Sequence, residues 1–224
     1  MGRRHGKILE SLGDSVEYVD IGYDPTRQPP KADSILVCTP SASHACYLAA
    51  FKDSRIPIFV EKPVIVPGQE AQAPETSLVA CNWRWGGVSG ARDIVSAYHS
   101  SDNGAWLDLI HFVDLLWEER GRPDDGSMNH FHGRYFLAMR WGEERAAIAL
   151  DYDEVNPRTV IDGKFMNPSA DMFVDQMRHW RDCVCGKTRS CNSVKTAVER
   201  TSWLIAVHER DVAGIEPRRI AAHG

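Results

Sequence analysis

The run Pro57-Ile58-Phe59-Val60-Glu61-Lys62-Pro63-Val64 carries a short apolar stretch into an acid, a lysine and a proline. A lysine at the mouth of a buried strand has two chemical uses. Partial burial brings its ammonium toward the range where it can give and take a proton, and its charge can hold a developing oxyanion. A second group lies in Asp108-Leu109-Ile110-His111-Phe112-Val113-Asp114, where Asp108, His111 and Asp114 follow one another at intervals of three. On a helix such residues share a broad face, and an imidazole flanked by carboxylates can relay a proton near neutral pH. Each signal also has a plain structural reading. Glu-Lys-Pro alone serves as a solvated loop, and Asp108 as a first-turn carboxylate favoured by the helix dipole with His111 packed inside.

The elements around these residues have to position them. Arg3 to Leu12 reads as a helix stopped by Gly13, and Val16 to Tyr23 as a strand ending at Asp24. Three prolines make Asp24 to Ser34 a loop. Ser34 to Cys38 is a buried strand closed by Thr39-Pro40, Ser41 to Phe51 an alanine-rich helix with a serine cap, and Ile56 to Val60 the next strand. Strand, helix, strand with continuous apolar strands predicts a parallel sheet covered on both faces, with ligands at the carboxyl ends of its strands. Glu61-Lys62-Pro63 lies at such an end. A Pro/Gly/Gln/Ala-rich passage then leads to a strand over Leu78 to Cys81, and Asn82-Trp83-Arg84-Trp85 leaves it.

The domain boundary falls there, giving domains 1–84 and 85–224. In the second, Ser89 to His99 and Ala105 to Glu119 read as helices. Gly133 to Trp141, Arg145 to Asp153 and Arg158 to Asp162 alternate as strands of an antiparallel sheet, and helices over Ala170 to Cys183 and Ser193 to Arg210 close the chain. The expected fold class is α/β: an incomplete Rossmann-like parallel sheet, then an α+β domain.

Composition narrows the partners. With 224 residues, 43% hydrophobic and 25% charged, the chain has the make-up of an ordinary globular protein. A net charge of −5 and a pI of about 6.0 argue against nucleic acid or a membrane surface as partners and leave small molecules open. No apolar run approaches the roughly 18 residues that span a bilayer, and no apolar segment follows the basic start, so a cytoplasmic location with reduced thiols is expected. The six cysteines are scattered, and Cys183-Val184-Cys185 with Cys191 lacks zinc-site spacing, so no metal is expected.

Four segments in order resemble the Gfo/Idh/MocA (glucose-fructose oxidoreductase, inositol dehydrogenase) family of NAD(P)-dependent oxidoreductases. They are VCTPSASHACYLAAF with IPIFVEKPV, CNWRW, NGAWLDLIHFVDLLWEERG, and the closing MFVDQMRHWRDCVCGK…NSVKTAVERTSWLIAVHER. The resemblance implies a nucleotide-binding domain and a substrate domain. It also implies hydride transfer between nicotinamide and a hydroxyl-bearing carbon of a sugar, cyclitol or sugar derivative. Lys62 would hydrogen-bond the reacting hydroxyl, Glu61 would orient it, and Pro63, often cis in the family, would fix the turn. His111 and Asp108 would complete the proton handling. Thr39, Pro40 and His44 would flank the nicotinamide and its ribose, with Asn82 and Arg84 leaving the last strand of the nucleotide domain. Asp24 would hold the adenosine ribose and favour NAD over NADP, against a nearby Arg27 suited to a 2′-phosphate. Members commonly associate through the second domain's sheet, so a homo-oligomer is expected.

The family's nucleotide domain opens with a strand and GxGxxG. Here Gly2 matches the third glycine, so the helix start with Arg3, Arg4 and His5 would be left to hold a diphosphate. Weak cofactor affinity follows as an expectation. Two origins stay open, a start inside a longer reading frame or a reduced relative with a rearranged sheet. The matching functional alternative is a non-catalytic relative that binds a sugar or nucleotide weakly.

Overall fold

The computed structural model describes residues 1–19, 24, 31–86, 88, 90–97, 105–131, 133–151, 158–166 and 170–213. In chain order the elements begin with α1 (Gly2–Ser11), β1 (Ile35–Val37), α2 (Ser41–Phe51), β2 (Ile58–Val60), β3 (Ser77–Val79) and β4 (Asp93–Ala97). They continue with α3 (Ile110–Arg120), β5 (Asp125–Phe131), β6 (Arg134–Trp141), β7 (Glu144–Asp151), β8 (Arg158–Ile161), β9 (Lys164–Met166), α4 (Ala170–Val184) and α5 (Val194–His208). Two compact units result, Met1–Gly86 with Ser169–Thr201, and Gly87–Pro168 with Ser202–Gly224. The segment Ser169–Thr201 thus returns to the first unit, a closure that a single cut after residue 84 does not contain.

The first unit is a three-stranded parallel sheet in the order β1-β2-β3, with Ile35, Ile58 and Ser77 side by side. Its strands are short because the chain leaves the ladder for a turn after three residues. Every residue of β2 and β3 is buried, as continuous apolar runs require of a sheet covered on both faces. The outer edge of β3 is closed by the loop before α5: Val79 N donates to Asn192 O at 2.8 Å, and Asn192 Nδ2 donates back to Val79 O at 3.3 Å. The core joins Leu9 of α1, Phe59, Leu78 and Ala80 of the sheet region, and Met177, Trp180 and Cys183 of α4. The strand expected over Val16 to Tyr23 is corrected where it can be seen. Residues 16–19 are not in a strand, and Val16 instead packs on this core beside Leu12. Residues 20–23, and Arg27, lie outside the described residues. The helix over 41–51 forms, but its N-cap is Pro40 with no side-chain cap bond, correcting the expected serine cap.

The second unit is built on a six-stranded sheet, β5-β6-β7-β4-β8-β9. Its centre holds the main correction: the helix expected over Ser89 to His99 is instead strand β4. The reason is visible in the burial. Ile94 and Ser96 point inward and Val95 is exposed, a period of two, and Ser96 Oγ lies 2.8 Å from Thr159 Oγ1 across the ladder. Because β4 runs parallel to β7 while the other pairs are antiparallel, the sheet is mixed. β5 was not expected at all; only Gly126 and Met128 face inward in its polar sequence. Gly126 is required there, since a Cβ would meet the Trp203 ring at 2.5 Å. The helix expected from Ala105 divides: a 3-10 segment, Ala105–Leu109, precedes α3. In α3 every residue from Ile110 to Trp117 is buried, and Gly121 at φ 81° ends it. No described helix is long and apolar enough to cross a membrane.

Candidate functional site

The first unit gathers its polar groups where β1 and β2 end. Glu61 continues the ladder, its N–H donating to Val37 O at 2.9 Å, and then the Lys62-Pro63 peptide is cis. That turn sets Lys62 half-buried between the buried Glu61 and the buried Pro63. His44, on the first turns of α2 and 1% exposed, reaches both strand exits. Its Nδ1 is 2.8 Å from Pro63 O and its Nε2 2.7 Å from Thr39 O, donating from whichever nitrogen carries the proton. Ser43 Oγ donates toward Thr39 Oγ1 and Pro40 O at 2.8 and 2.7 Å, so the Thr39-Pro40 turn is fastened to the start of α2.

Glu61 is held from the other side by α1. His5 Nε2 stands 2.5 Å from Glu61 Oε1, and Glu61 Oε2 accepts the Lys62 backbone N–H at 3.3 Å. Burial pushes this carboxyl up, but the hydrogen bond and charge of His5, with the charge and N–H of Lys62, outweigh it and hold Glu61 below the usual carboxylate range. The same carboxylate, after burial, helps push the neighbouring Cys38 thiol up to about 12, against the N-terminal ammonium. Cys38 is therefore a protonated packing residue at neutral pH rather than a nucleophile.

The other positions are more scattered. Gly2 opens α1 against the end of β1, where a Cβ would meet Cys38 Cβ at 3.2 Å. Arg3 and Arg4 are exposed on that first turn, with the Arg4 guanidinium 4.0 Å over the Phe173 ring. His5, grouped with them from the sequence, is fully buried and turned to Glu61. That corrects its expected place facing a diphosphate. The signal was present: His5 and Leu9 are four apart on the inward face of α1. Asp24 is partly buried. Asn82 is buried and Arg84 half-buried in a 3-10 turn, Asn82–Trp85, which leans on α4 through Trp85 and His179, ring centres 5.7 Å apart. Burial lowers the His179 imidazole's pKa; Asp182 opposes and Arg84 adds to the shift.

Asp108 and His111 belong to the second unit. The expected single helix is divided here: Asp108 sits half-buried in the 3-10 segment, while His111 (7% exposed) and Asp114 (1%) lie inside α3. Trp106 of the same segment stacks on His208 at 3.9 Å between ring centres. Among the described residues no group of histidine, cysteine and carboxylate side chains is placed to hold a metal ion.

No known family profile matches the chain, and no curated protein does. Solved structures do, and many are Gfo/Idh/MocA-type NAD-dependent dehydrogenases. The chain resembles the WlbA (WbpB) dehydrogenase from Thermus thermophilus, solved with NAD and UDP-GlcNAcA. The TM-score is 0.63 at 14% identity, over 94% of this chain and 91% of that one. It also resembles the UDP-N-acetylglucosamine 3-dehydrogenase GnnA from Acidithiobacillus ferrooxidans, with a TM-score of 0.60 at 12% identity over 82% of this chain and 79% of that one. The chain has the fold of these dehydrogenases, a parallel sheet followed by a mixed sheet with helices.

Proposed function

We propose that the chain is an NAD(P)-linked oxidoreductase acting on a hydroxyl-bearing carbon of a sugar, cyclitol or sugar derivative, with NAD favoured through Asp24. The observation that carries the reading is the corner at the end of β2, where Lys62 follows the anionic Glu61 and precedes a cis proline beside Thr39 and His44. A bound nicotinamide would supply the hydride acceptor. In its neutral form Lys62 would hydrogen-bond the substrate hydroxyl and take its proton as the carbon–hydrogen bond breaks, the hydride leaving for the nicotinamide and the carbinol becoming a carbonyl, and the ammonium so formed would stay hydrogen-bonded to that oxygen. Glu61 orients Lys62, and a proton-handling role is assigned to His111 and Asp108 as the resemblance implies. Thr39, Pro40 and His44 shape the nicotinamide side, His44 by bracing the two strand exits. The glycine at the start of α1 and the exposed Arg3 and Arg4 suit a diphosphate; Asn82 and Arg84 line the exit of β3. Wild-type chain should oxidise some member of a panel of sugars, uronates and cyclitols with NAD. Lys62→Ala should abolish that turnover while leaving NADH binding, read by nicotinamide fluorescence, close to the parent's. Retained turnover would remove Lys62 from the mechanism.

A second reading, a weak sugar or nucleotide binder without catalysis, is favoured by the inward turn of His5, which leaves Arg3 and Arg4 alone of the three expected groups at the helix start. Binding of NADH with no turnover across the panel would select it. Self-association is proposed through the open face of the second sheet, where Phe136, Ala149, Val95, Val160 and Phe165 follow one another across five strands. Phe136, Val95 and Phe165 are 41%, 49% and 72% exposed. Sedimentation equilibrium of the parent and of Phe136→Asp tests it: a monomer in both discards this face as an interface.

A further inference from the structure

We propose that His5 is a positioning residue for Lys62, acting through Glu61, so that the first turns of α1 are tied to the strand exit that carries the lysine. The inference rests on the reading of Lys62 as the proton-handling group. One carboxylate makes the link: Oε1 meets His5 Nε2 at 2.5 Å, and Oε2 accepts the backbone N–H of Lys62 at 3.3 Å. The geometry also selects the nitrogen. Nδ1 of the buried ring has no hydrogen-bond partner among the described residues, and the ring is held edge-on to Phe59 at 5.1 Å and near Phe173 at 6.2 Å. The proton donated to Glu61 therefore sits on Nε2.

The consequence is electrostatic. A carboxyl buried at the mouth of an apolar strand tends to its neutral form, and a donor aimed at it restores the anion. Charged and titratable groups face Glu61 from three sides: His5 on α1, Cys38 at the end of β1 and Lys62 beside it, with the N-terminal ammonium acting on Cys38. An anionic Glu61 favours the charged form of Lys62. Loss of the His5 donor moves the carboxyl toward neutrality, and Lys62 then keeps its proton less tightly. A packing role for His5 would carry no such signature.

The test needs neither cofactor nor substrate. Lysines are trace-acylated with acetic anhydride across a pH series, and each is read by mass spectrometry with the other lysines as internal standards. His5→Leu, which removes the donor while keeping an apolar side chain against Phe59, should raise the relative reactivity of Lys62 near neutral pH about threefold or more, the effect of roughly half a pKa unit, and shift its profile to lower pH. Glu61→Gln should do the same, and the double variant no more than Glu61→Gln alone, because both act through one carboxylate. An unchanged Lys62 profile in either single variant overturns the proposal, as does full additivity in the double. If His5→Leu does not fold, Glu61→Gln, which keeps the side-chain shape, decides it by the same criterion. A shifted profile together with turnover retained in Lys62→Ala would sink the enzymatic reading and leave the link standing; an unshifted profile with turnover lost would do the reverse.

Discussion

In the first unit, β2 and β3 are three residues long and buried at every position; in the second, β6 runs for eight residues and alternates exposed and buried along its length. The two sheets solve the same backbone problem under different cover. A sheet enclosed on both faces leaves no free surface, so its polar groups gather at the strand exits, at Thr39-Pro40 and Glu61-Lys62-Pro63. The second sheet exposes an apolar row among the described residues, with Phe136, Val95 and Phe165 open and Ala149 and Val160 half-buried between them. Burial in the first sheet therefore concentrates stability in a few large side chains, and the second spreads it along a ladder.

Substitutions can break that contrast. Phe59 is fully buried at the middle of β2, against Trp180 and His5. Phe59→Ala should cost about 3–5 kcal/mol in urea unfolding, and a loss well below that would mean the enclosed sheet is not a tight core. Next is the acid limb. The folded pKa of Glu61 lies below its unfolded value of about 4.3, so the stability it contributes is fully present above that pH and is lost as pH falls through the lower folded value. Glu61→Gln should flatten the fall in melting temperature at acid pH; an unaltered acid limb would contradict the pair. In the second unit, Ser96→Ala removes one partner of the buried Ser96–Thr159 contact and should cost about 1–3 kcal/mol by chemical denaturation. Smallest is Phe165→Ala on the open face, expected within about 0.5 kcal/mol; a larger loss would show that this face is covered after all.

What the sequence discloses follows the same division. The first unit's strands were legible because SILVC, IPIFV and SLVAC are continuous apolar runs bounded by turn residues, and the Glu-Lys-Pro turn was legible with them, its cis bond being expected from the family resemblance alone. The partner of Glu61 was not, since a histidine three residues after a glycine at a helix start reads as a phosphate contact until the helix is docked. β4 was missed because Ala91, Ile94, Val95 and Ala97 fit a helical stripe as readily as a strand; only pairing with β7 and β8 settles the period. β5 was missed because its inward positions are Gly126 and Met128, and a glycine that makes room for Trp203 carries no apolar signal. The junction inside the helix at residues 105–120 was hidden for a different reason, as 3-10 and α segments share the spacing of three that suggested a common face.

The return of Ser169–Thr201 to the first unit bears on how the chain is made. Residues 1–86 leave the ribosome first, yet Met177, Trp180 and Cys183, which close the core around Phe59 and Leu78, are synthesised after the whole of the second sheet. Until they emerge, β2 and β3 lack part of the apolar cover that closes their core. The first unit therefore cannot complete its core until the segment after the second sheet has been made.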